Sequence, residues 1–259
     1  MDYAKKRRLA RIKSSLTVVL ILLILVGSYN YLGITSEKFF VGIPNIFITL
    51  GEMLPPDWHY LSYITGPMLD TIRIAILGTT FGGILSIPVV LLSSRNVTKA
   101  PYLFYPARFI LNILRTIPEL LLAALFVPIF GIGPVAGIAA ITIFSLGIIA
   151  KLAYETVEAI DNGPLEAMTA VGANKTKWIF FGVIPQVTAQ YMSYFLYAFE
   201  INIRSAVILG YVGAGGIGLI MNNMLASLQY TRVMSIIVYT LVVVIIIDTL
   251  SNRIREKLL

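Results

Sequence analysis

Long apolar runs alternate along the chain with short polar or glycine- and proline-containing segments. A helix needs about 20 residues to cross the ~30 Å hydrocarbon core of a bilayer. By that criterion the apolar runs predict six membrane spans, at residues 16–32, 69–92, 109–130, 135–153, 188–209 and 233–250. The predicted fold class is therefore an all-α membrane protein, a six-transmembrane-helix bundle that forms a single domain over residues 1–259.

The first span follows a basic segment, which raises the alternative of a cleavable signal peptide. Tyr29, Asn30 and Tyr31 end the run without the small residues of a cleavage site, so we interpret it as an uncleaved span. Spans three and four are divided only by residues 131–134 (GIGP), which predicts an antiparallel helical hairpin. The apolar stretch at residues 39–50 is too short to cross the bilayer, and we expect a helix along the membrane interface.

Composition and charge agree with this interpretation. Hydrophobic residues make up 58% of the chain and charged residues 13%, against about 25% charged in a soluble domain. The net charge of +7 comes mostly from Lys and Arg at the two ends and in residues 95–108 and 154–185, whereas residues 33–67 contain one such residue, Lys38. This bias predicts a multi-pass protein of the cytoplasmic (inner) membrane with both termini cytoplasmic. It also argues against a nucleic-acid partner.

Several chemistries are excluded by the residues present. The chain has no cysteine and one histidine, and it lacks the G-x-x-x-x-G-K-[ST] loop, so we expect neither a metal site nor ATP hydrolysis on this chain. Gly213, Gly215 and Gly218 fit the dinucleotide pattern G-x-G-x-x-G, but they join two spans, and the next acid, Asp248, is thirty residues further on. We interpret these glycines, together with Gly216, as a gate or bend between spans five and six.

Residues 158–186, between spans four and five, have the local signals of a helix–turn–helix elbow. Pro164 suits the first position of a helix, and Glu166 then lies in the first turn, where the helix dipole favours a carboxylate. Gly172 is expected to end that helix, and Asn174 to cap a second one. We expect the second helix to stop before Pro185.

This elbow resembles the cytoplasmic motif of permeases of ABC importers, E-A-A-x-x-x-G followed after nine residues by I-x-L-P. Residues 166–172 (EAMTAVG) and 182–185 (GVIP) match it in spacing. Met168 replaces the second Ala and Gly182 the first Ile, and both changes are compatible with the elbow shape.

In that family the motif is the coupling helix, which docks in a cleft of the ATPase subunit. The resemblance implies ATPase coupling by Glu166, Ala167, Gly172 and Pro185. It also implies partners: two copies of an ATP-binding subunit that carries ATP and Mg, an extracytoplasmic substrate-binding protein, and a second copy of this chain in the surrounding lipid bilayer. No cofactor is implied on this chain.

Three further segments resemble permeases for phosphonates and related phosphorus oxyanions: residues 114–120 (LRTIPEL), 147–155 and 212–218. The resemblance covers about residues 65–255, and methionine-type permeases carry a segment close to the third. The function implied is import of phosphonate or a related oxyanion. An ABC permease for another solute such as methionine, and an ATP-independent secondary transporter or channel, remain alternatives, as does an assembly factor or anchor without transport.

Two pairs of opposite charges lie within predicted spans. Arg115 and Glu119 are four residues apart, as are Glu200 and Arg204, so each pair can form along one helix face. Ionisable residues inside a membrane mark functional sites or structural ion pairs. Either these pairs stabilise the bundle, or Arg115 and Arg204 give a positive potential to an anion pathway.

Overall fold

The computed structural model describes residues 2–33 and 36–258, with the side chains of residues 13–33 and 40–258. The regular structure in these ranges is helical throughout. The α-helices are α1 (Asp2–Tyr31), α2 (Ser36–Met53), α3 (Leu61–Ser93), α4 (Pro101–Thr116), α5 (Glu119–Phe130), α6 (Pro134–Glu158), α7 (Gly163–Ala170), α8 (Lys175–Trp178), α9 (Ile184–Leu209), α10 (Ile217–Ala226) and α11 (Tyr230–Leu258).

The chain divides into two units, Met1–Leu54 and Pro55–Leu259. In the first, the stretch Lys13–Tyr31 of α1 is long and apolar enough to cross a membrane, and none of it is buried in the protein. The helix expected at residues 39–50 is present as α2, and its placement at the membrane interface stays a prediction. The proposal of a single domain over residues 1–259 likewise stays a prediction.

The second unit contains the other predicted spans. Those at residues 69–92, 135–153, 188–209 and 233–250 each lie within one helix, α3, α6, α9 and α11. With the stretch in α1, five helical stretches of the described chain can cross a membrane by length and composition, or six if a bent pair of helices counts as one span.

That bent pair is α4 and α5, which meet at 90°. The prediction of one continuous helix over residues 109–130 is therefore wrong. Pro118 has no amide hydrogen to continue the helix, and its ring disfavours helical backbone at the preceding residue. Ile117 accordingly has extended backbone, with φ −84° and ψ 117°, and the helix restarts at Glu119.

The core of the second unit is a close contact between α3 and α6. A Cβ atom added to Gly78 would lie 2.5 Å from Ile141 Cγ2, and one added to Gly82 would lie 2.5 Å from Ser145 Cβ and 2.6 Å from the Thr142 carbonyl oxygen. Because lipid tails are as apolar as the side chains, helices in membranes associate through such close packing at small residues. These two glycines therefore allow the two helices to touch along their backbones.

A buried amide joins a third helix to this contact. Asn202 of α9 is fully buried, and its Nδ2 donates to Thr79 Oγ1 of α3 at 2.7 Å and to Ser145 Oγ of α6 at 2.6 Å. Thr79 in turn donates to the carbonyl of Ala75, so the Asn202 amide nitrogen and the Thr79 hydroxyl are both paired, whereas Asn202 Oδ1 has no partner among the described residues. This cluster fixes the relative position of α3, α6 and α9.

Replacing Gly82 by Ala tests the α3–α6 contact. The added methyl meets backbone and Ser145, so overpacking should lower the free energy of unfolding by about 1–3 kcal/mol. The matched control is Gly66→Ala in the same helix, where the added Cβ has nothing within 4 Å. We expect the control to be neutral or slightly stabilising, as measured by thermal unfolding of the detergent-purified protein; equal midpoints for the two variants would contradict the packing argument.

Candidate coupling segment and intramembrane charges

The segment between α6 and α9 forms the predicted elbow. Its first helix, α7, begins at Gly163, whose amide donates to Asp161 Oδ1 at 3.0 Å, with Pro164 and Glu166 in the first turn. Gly172 ends the helix with a φ of +71°, a left-handed conformation that glycine adopts without steric cost. The expected start and end of this helix are confirmed.

The second helix of the elbow begins as predicted but does not end as predicted. Asn174 Oδ1 accepts a hydrogen bond from the amide of Lys177 at 2.9 Å, which is an N-cap. The prediction that Pro185 stops the helix is wrong, because α8 continues through a π-helix at Ile179–Val183 into α9.

The π-helix explains how the chain passes Pro185. The amide of Ile184 donates to the carbonyl of Ile179, five residues back. The hydrogen-bond spacing thus changes from four residues to five just before Pro185, which has no amide hydrogen. Gln186 Nε2 also donates to the carbonyl of Gly182 at 2.6 Å. The second helix of the elbow and the fifth span are consequently one continuous helical stretch, Lys175–Val212.

One buried side chain attaches α7 to this stretch. Leu165 is 5% exposed, and a Cβ atom added to Gly182 would lie 2.9 Å from Leu165 Cδ2. The carbonyl of Leu165 accepts a hydrogen bond from Trp178 Nε1 at 3.1 Å. The space left by Gly182, where the resembling motif has Ile, is thus occupied by Leu165, and the departure from the motif has a packing reason.

The loop between α3 and α4 holds the elbow from the other side. Lys175 Nζ donates to the carbonyl of Val97 and lies 4.4 Å from the ring of Trp178. Val97 is buried in the same apolar cluster as Leu165. The elbow therefore contacts both the helix that follows it and the loop that leads into α4.

Arg108 of α4, which the sequence alone did not single out, joins α4 to α6. Its guanidinium lies 4.4 Å from the ring of Phe104 and 4.3 Å from the ring of Tyr154, and it forms an ion pair with Glu158. Its Nε also donates to the carbonyl of Ser93 at 2.9 Å. A cation that contacts two rings and pairs with a carboxylate joins the end of α3, α4 and the end of α6.

The tip of the elbow, away from its packed base, is exposed. Glu166, Ala167 and Gly172 are exposed, and Val171 is 77% exposed although it is apolar. A Cβ atom added to Gly172 would have nothing within 4 Å. A tip with an exposed apolar residue on a packed base has the shape of a docking element.

Arg115 and Glu119 are not paired. The break at Pro118 places them on different helices, so the predicted bond along one helix face is absent, and Glu119 Oε1 instead accepts from Ser205 Oγ of α9 at 3.1 Å. Arg115 is exposed and has no carboxylate partner in the part of the chain that the structure describes.

Glu200 and Arg204 are paired, as predicted, at 2.9 Å. The pair belongs to a larger network, because Arg204 also bonds Asp248 of α11 at 2.9 Å and Glu200 bonds Arg255 of α11 at 2.9 Å. The charges of the two guanidinium groups and the two carboxylates balance, and the network joins α9 to α11. Since both members of the pair are also bonded to α11, the arrangement favours the structural interpretation of Glu200 and Arg204. No local pattern predicts the link to α11, because 44 residues separate Arg204 from Asp248.

The glycine segment after α9 forms a tight bend, as expected of an irregular connection. Gly213, Gly215 and Gly216 all have positive φ, between +74° and +89°, and Gly218 lies in the short helix α10 that follows. The carbonyl of Gly213 accepts from the amide of Gly133 in the α5–α6 turn at 2.9 Å. The bend is therefore fixed against the hairpin of α5 and α6, and its role as a gate stays a prediction.

Replacing Gly182 by Ile tests the contact between α7 and the π-helix. The new side chain would occupy the space of Leu165, and overpacking should lower the free energy of unfolding by about 1–3 kcal/mol. Adding Leu165→Ala should restore part of that loss, because the second substitution makes room for the first. Thermal unfolding of the two single variants and the double variant measures the coupling; strictly additive losses would contradict the contact.

Replacing Glu200 by Gln tests the four-charge network. The substitution removes a carboxylate with a 16% exposed side chain from two guanidinium groups, and should lower the free energy of unfolding by about 1–3 kcal/mol. The control Asp70→Asn breaks the exposed pair of Asp70 with Arg73 and should cost at most about 1 kcal/mol. Thermal unfolding checks both values, and a smaller loss for Glu200→Gln than for the control would refute the network's role.

Known proteins are similar to this chain in sequence and in fold. The chain is 36% identical over 216 residues to the phosphite transport system permease protein PtxC of Stutzerimonas stutzeri, a match that covers 83% of this chain and 78% of the relative. It is 38% identical over 208 residues to the phosphate-import permease protein PhnE of Mycolicibacterium smegmatis, covering 80% of this chain and 39% of that longer relative.

Among solved structures, a chain of the MetNI methionine ABC transporter in an inward-facing conformation aligns with a TM-score of 0.69. The alignment covers 78% of this chain and 99% of that chain, and at 20% identity it shows a shared fold. Residues 91–258 match the family described as the binding-protein-dependent transport system inner membrane component. The chain is thus a multi-pass membrane protein that belongs to this family of ABC transporter permeases.

Proposed function

We propose that this chain is the permease subunit of an ATP-driven importer that moves phosphonate or a related phosphorus oxyanion across the cytoplasmic membrane. The observation that carries the proposal is identity above 35%, over at least 80% of this chain, to permeases named for phosphite and for phosphate import. The segment at residues 114–120 agrees with the same substrate class. The likeness to a methionine transporter is one of fold and favours no substrate.

The proposed complex contains partners that the family relationship implies. Two copies of an ATP-binding subunit supply ATP hydrolysis with bound Mg, an extracytoplasmic binding protein delivers the substrate, and a second copy of this chain completes the pathway. This chain itself performs no catalysis. In the proposed topology α4 and α5 together form the third of six spans, and both termini are cytoplasmic.

The coupling mechanism follows from the elbow. Glu166, Ala167 and Gly172 present the exposed tip to a cleft of the ATP-binding subunit, so that closure of the ATPase dimer displaces α7. Leu165 passes the displacement to the helix that contains Pro185, and Lys175 passes it through the carbonyl of Val97 to the α3–α4 loop. Movement at the ATPase thus reaches α4 and α9, and the oxyanion passes between the two permease copies in an alternating-access cycle.

Reconstitution tests the function and its substrate class. We would place the chain in liposomes with its ATP-binding subunit and binding protein and measure ATP hydrolysis with methylphosphonate, phosphite, phosphate or methionine. Stimulation by the phosphorus oxyanions and not by methionine is expected. Stimulation by methionine alone would overturn the substrate class, and an inability to bind any ATP-binding subunit would overturn the proposed function itself.

Replacing Gly172 by Trp tests the coupling element. A bulky residue at the tip should lower substrate-stimulated ATP hydrolysis at least about tenfold, the effect of losing one central interface contact of roughly 1.4 kcal/mol or more. The matched control is Gly131→Trp, in the α5–α6 turn, because Gly131 also has positive φ, +83°, with nothing within 4 Å of its added Cβ. The control also places a Trp at positive φ, so equal losses of substrate-stimulated ATP hydrolysis in the two variants would contradict coupling through the elbow.

A further inference from the structure

A cleft lies beside the break between α4 and α5, where α4, α6 and α9 meet. Its volume is about 360 Å³, and its polar lining consists of Arg115, Lys151, Glu155 and Tyr197. Ile148, Leu152 and Ile201 supply apolar walls. Pockets for small molecules have this composition, apolar walls with a few convergent polar groups, and volumes of about 300–1,000 Å³.

Arg115 has unused hydrogen-bonding capacity in this cleft. A guanidinium carries five N–H donors and stays charged at any physiological pH. The break at Pro118 removes Glu119 as a partner, and Arg115 forms no ion pair among the described residues, although Glu155 lines the same cleft and pairs with Lys151. Arg204 is the contrast, because two carboxylates bind it. A cation without a counter-ion in a membrane segment is costly unless it faces water or an anionic ligand.

The other polar groups of the cleft tune its charge. Lys151 Nζ donates to Tyr154 Oη at 2.7 Å and forms an ion pair with Glu155. The charges of Lys151 and Glu155 therefore nearly cancel. Together with Arg115 they leave the cleft with one net positive charge. Tyr197, 42% exposed, contributes a hydroxyl that can donate a hydrogen bond.

Close packing of α4 on α6 also holds Arg115 in position. A Cβ atom added to Gly147 of α6 would lie 3.3 Å from Arg115 Cγ and 3.7 Å from its backbone nitrogen. The absence of a side chain at Gly147 therefore lets the end of α4 rest on α6, next to the turn that carries Lys151. The two cations are brought to one cleft by this close approach of the helices.

We propose that this cleft is a transient binding site for a tetrahedral phosphorus oxyanion within the permease, with Arg115 as the main ligand and Lys151 and Tyr197 as secondary donors. The inference rests on the proposed function and names residues for the substrate's passage. A planar fork of N–H donors matches the oxygens of such anions and can bond two of them at once. Glu155 opposes the anion, which keeps binding weak enough for release, as conduction requires.

The experiment compares anion transported per ATP hydrolysed in liposomes that contain the complete transporter. Arg115→Gln and Lys151→Gln are measured against wild type with phosphite as substrate, and Arg73→Gln is the control, because it removes an exposed cation that lies outside the cleft. We expect the ratio to fall about tenfold for Arg115→Gln, the loss of one charge-assisted hydrogen-bonding group, with a smaller fall for Lys151→Gln. Arg115→Lys, which keeps the charge but not the fork, should lie between.

The outcomes separate this inference from the proposed function. If wild type transports phosphite and both cleft variants match the Arg73→Gln control, the cleft is not a substrate site, although the permease function stands. If no phosphorus oxyanion stimulates ATP hydrolysis by the wild-type transporter, the proposed function itself is overturned. Should Arg115→Gln not assemble with the ATP-binding subunit, Lys151→Gln and Arg115→Lys decide by the same ratio.

A lipid headgroup carries the same phosphate chemistry, so a second measurement distinguishes the two sources. The assembled transporter, delipidated in maltoside detergent and without binding protein, is unfolded thermally with added phosphite or with added phosphatidylglycerol. A rise of the midpoint with phosphite in wild type, lost in Arg115→Gln, supports the proposal. A rise with phosphatidylglycerol alone would assign the cleft to lipid and overturn it.

Discussion

The close contact of α3 with α6 is the constraint on which the second unit depends. In lipid there is little hydrophobic gain from joining two apolar helices, so close packing and internal hydrogen bonds must hold them. Gly78 and Gly82 allow backbone contact, and Asn202 then bonds both helices from α9. With these three helices fixed, the ends of α6 and α9 are set, and the elbow between them has a firm base while its tip stays exposed.

The sequence predicted the elements with local causes well. Five apolar runs became helices, and the turn at Gly172 and the cap at Asn174 are where side-chain chemistry puts them. The errors came from proline read in two opposite ways. Pro118 lies inside an apolar run and breaks the helix, whereas the helix that contains Pro185 continues through a π-helix.

The site could be predicted only in part, because its remaining features depend on contacts between distant residues. Spacing alone suggested that Arg115 pairs with Glu119, but that inference assumes an unbroken helix. The bonds of Arg204 to Asp248 and of Arg108 to Glu158 join residues 44 and 50 positions apart, and no periodicity reveals them. Gly182 was a departure from the motif whose cause became visible only when Leu165 was found in the space beside it.

The continuous helical stretch from Lys175 to Val212 makes the second helix of the elbow and the fifth span a single lever. Its 38 residues reach roughly 55 Å at about 1.5 Å per residue, so a tilt of about 5° around its middle would move each end by about 2 Å. The N-terminal end carries the contact with Leu165, and the C-terminal end carries the glycine bend that is bonded to the α5–α6 turn. A small rotation imposed at one membrane face would therefore be felt at the other without any helix having to unwind.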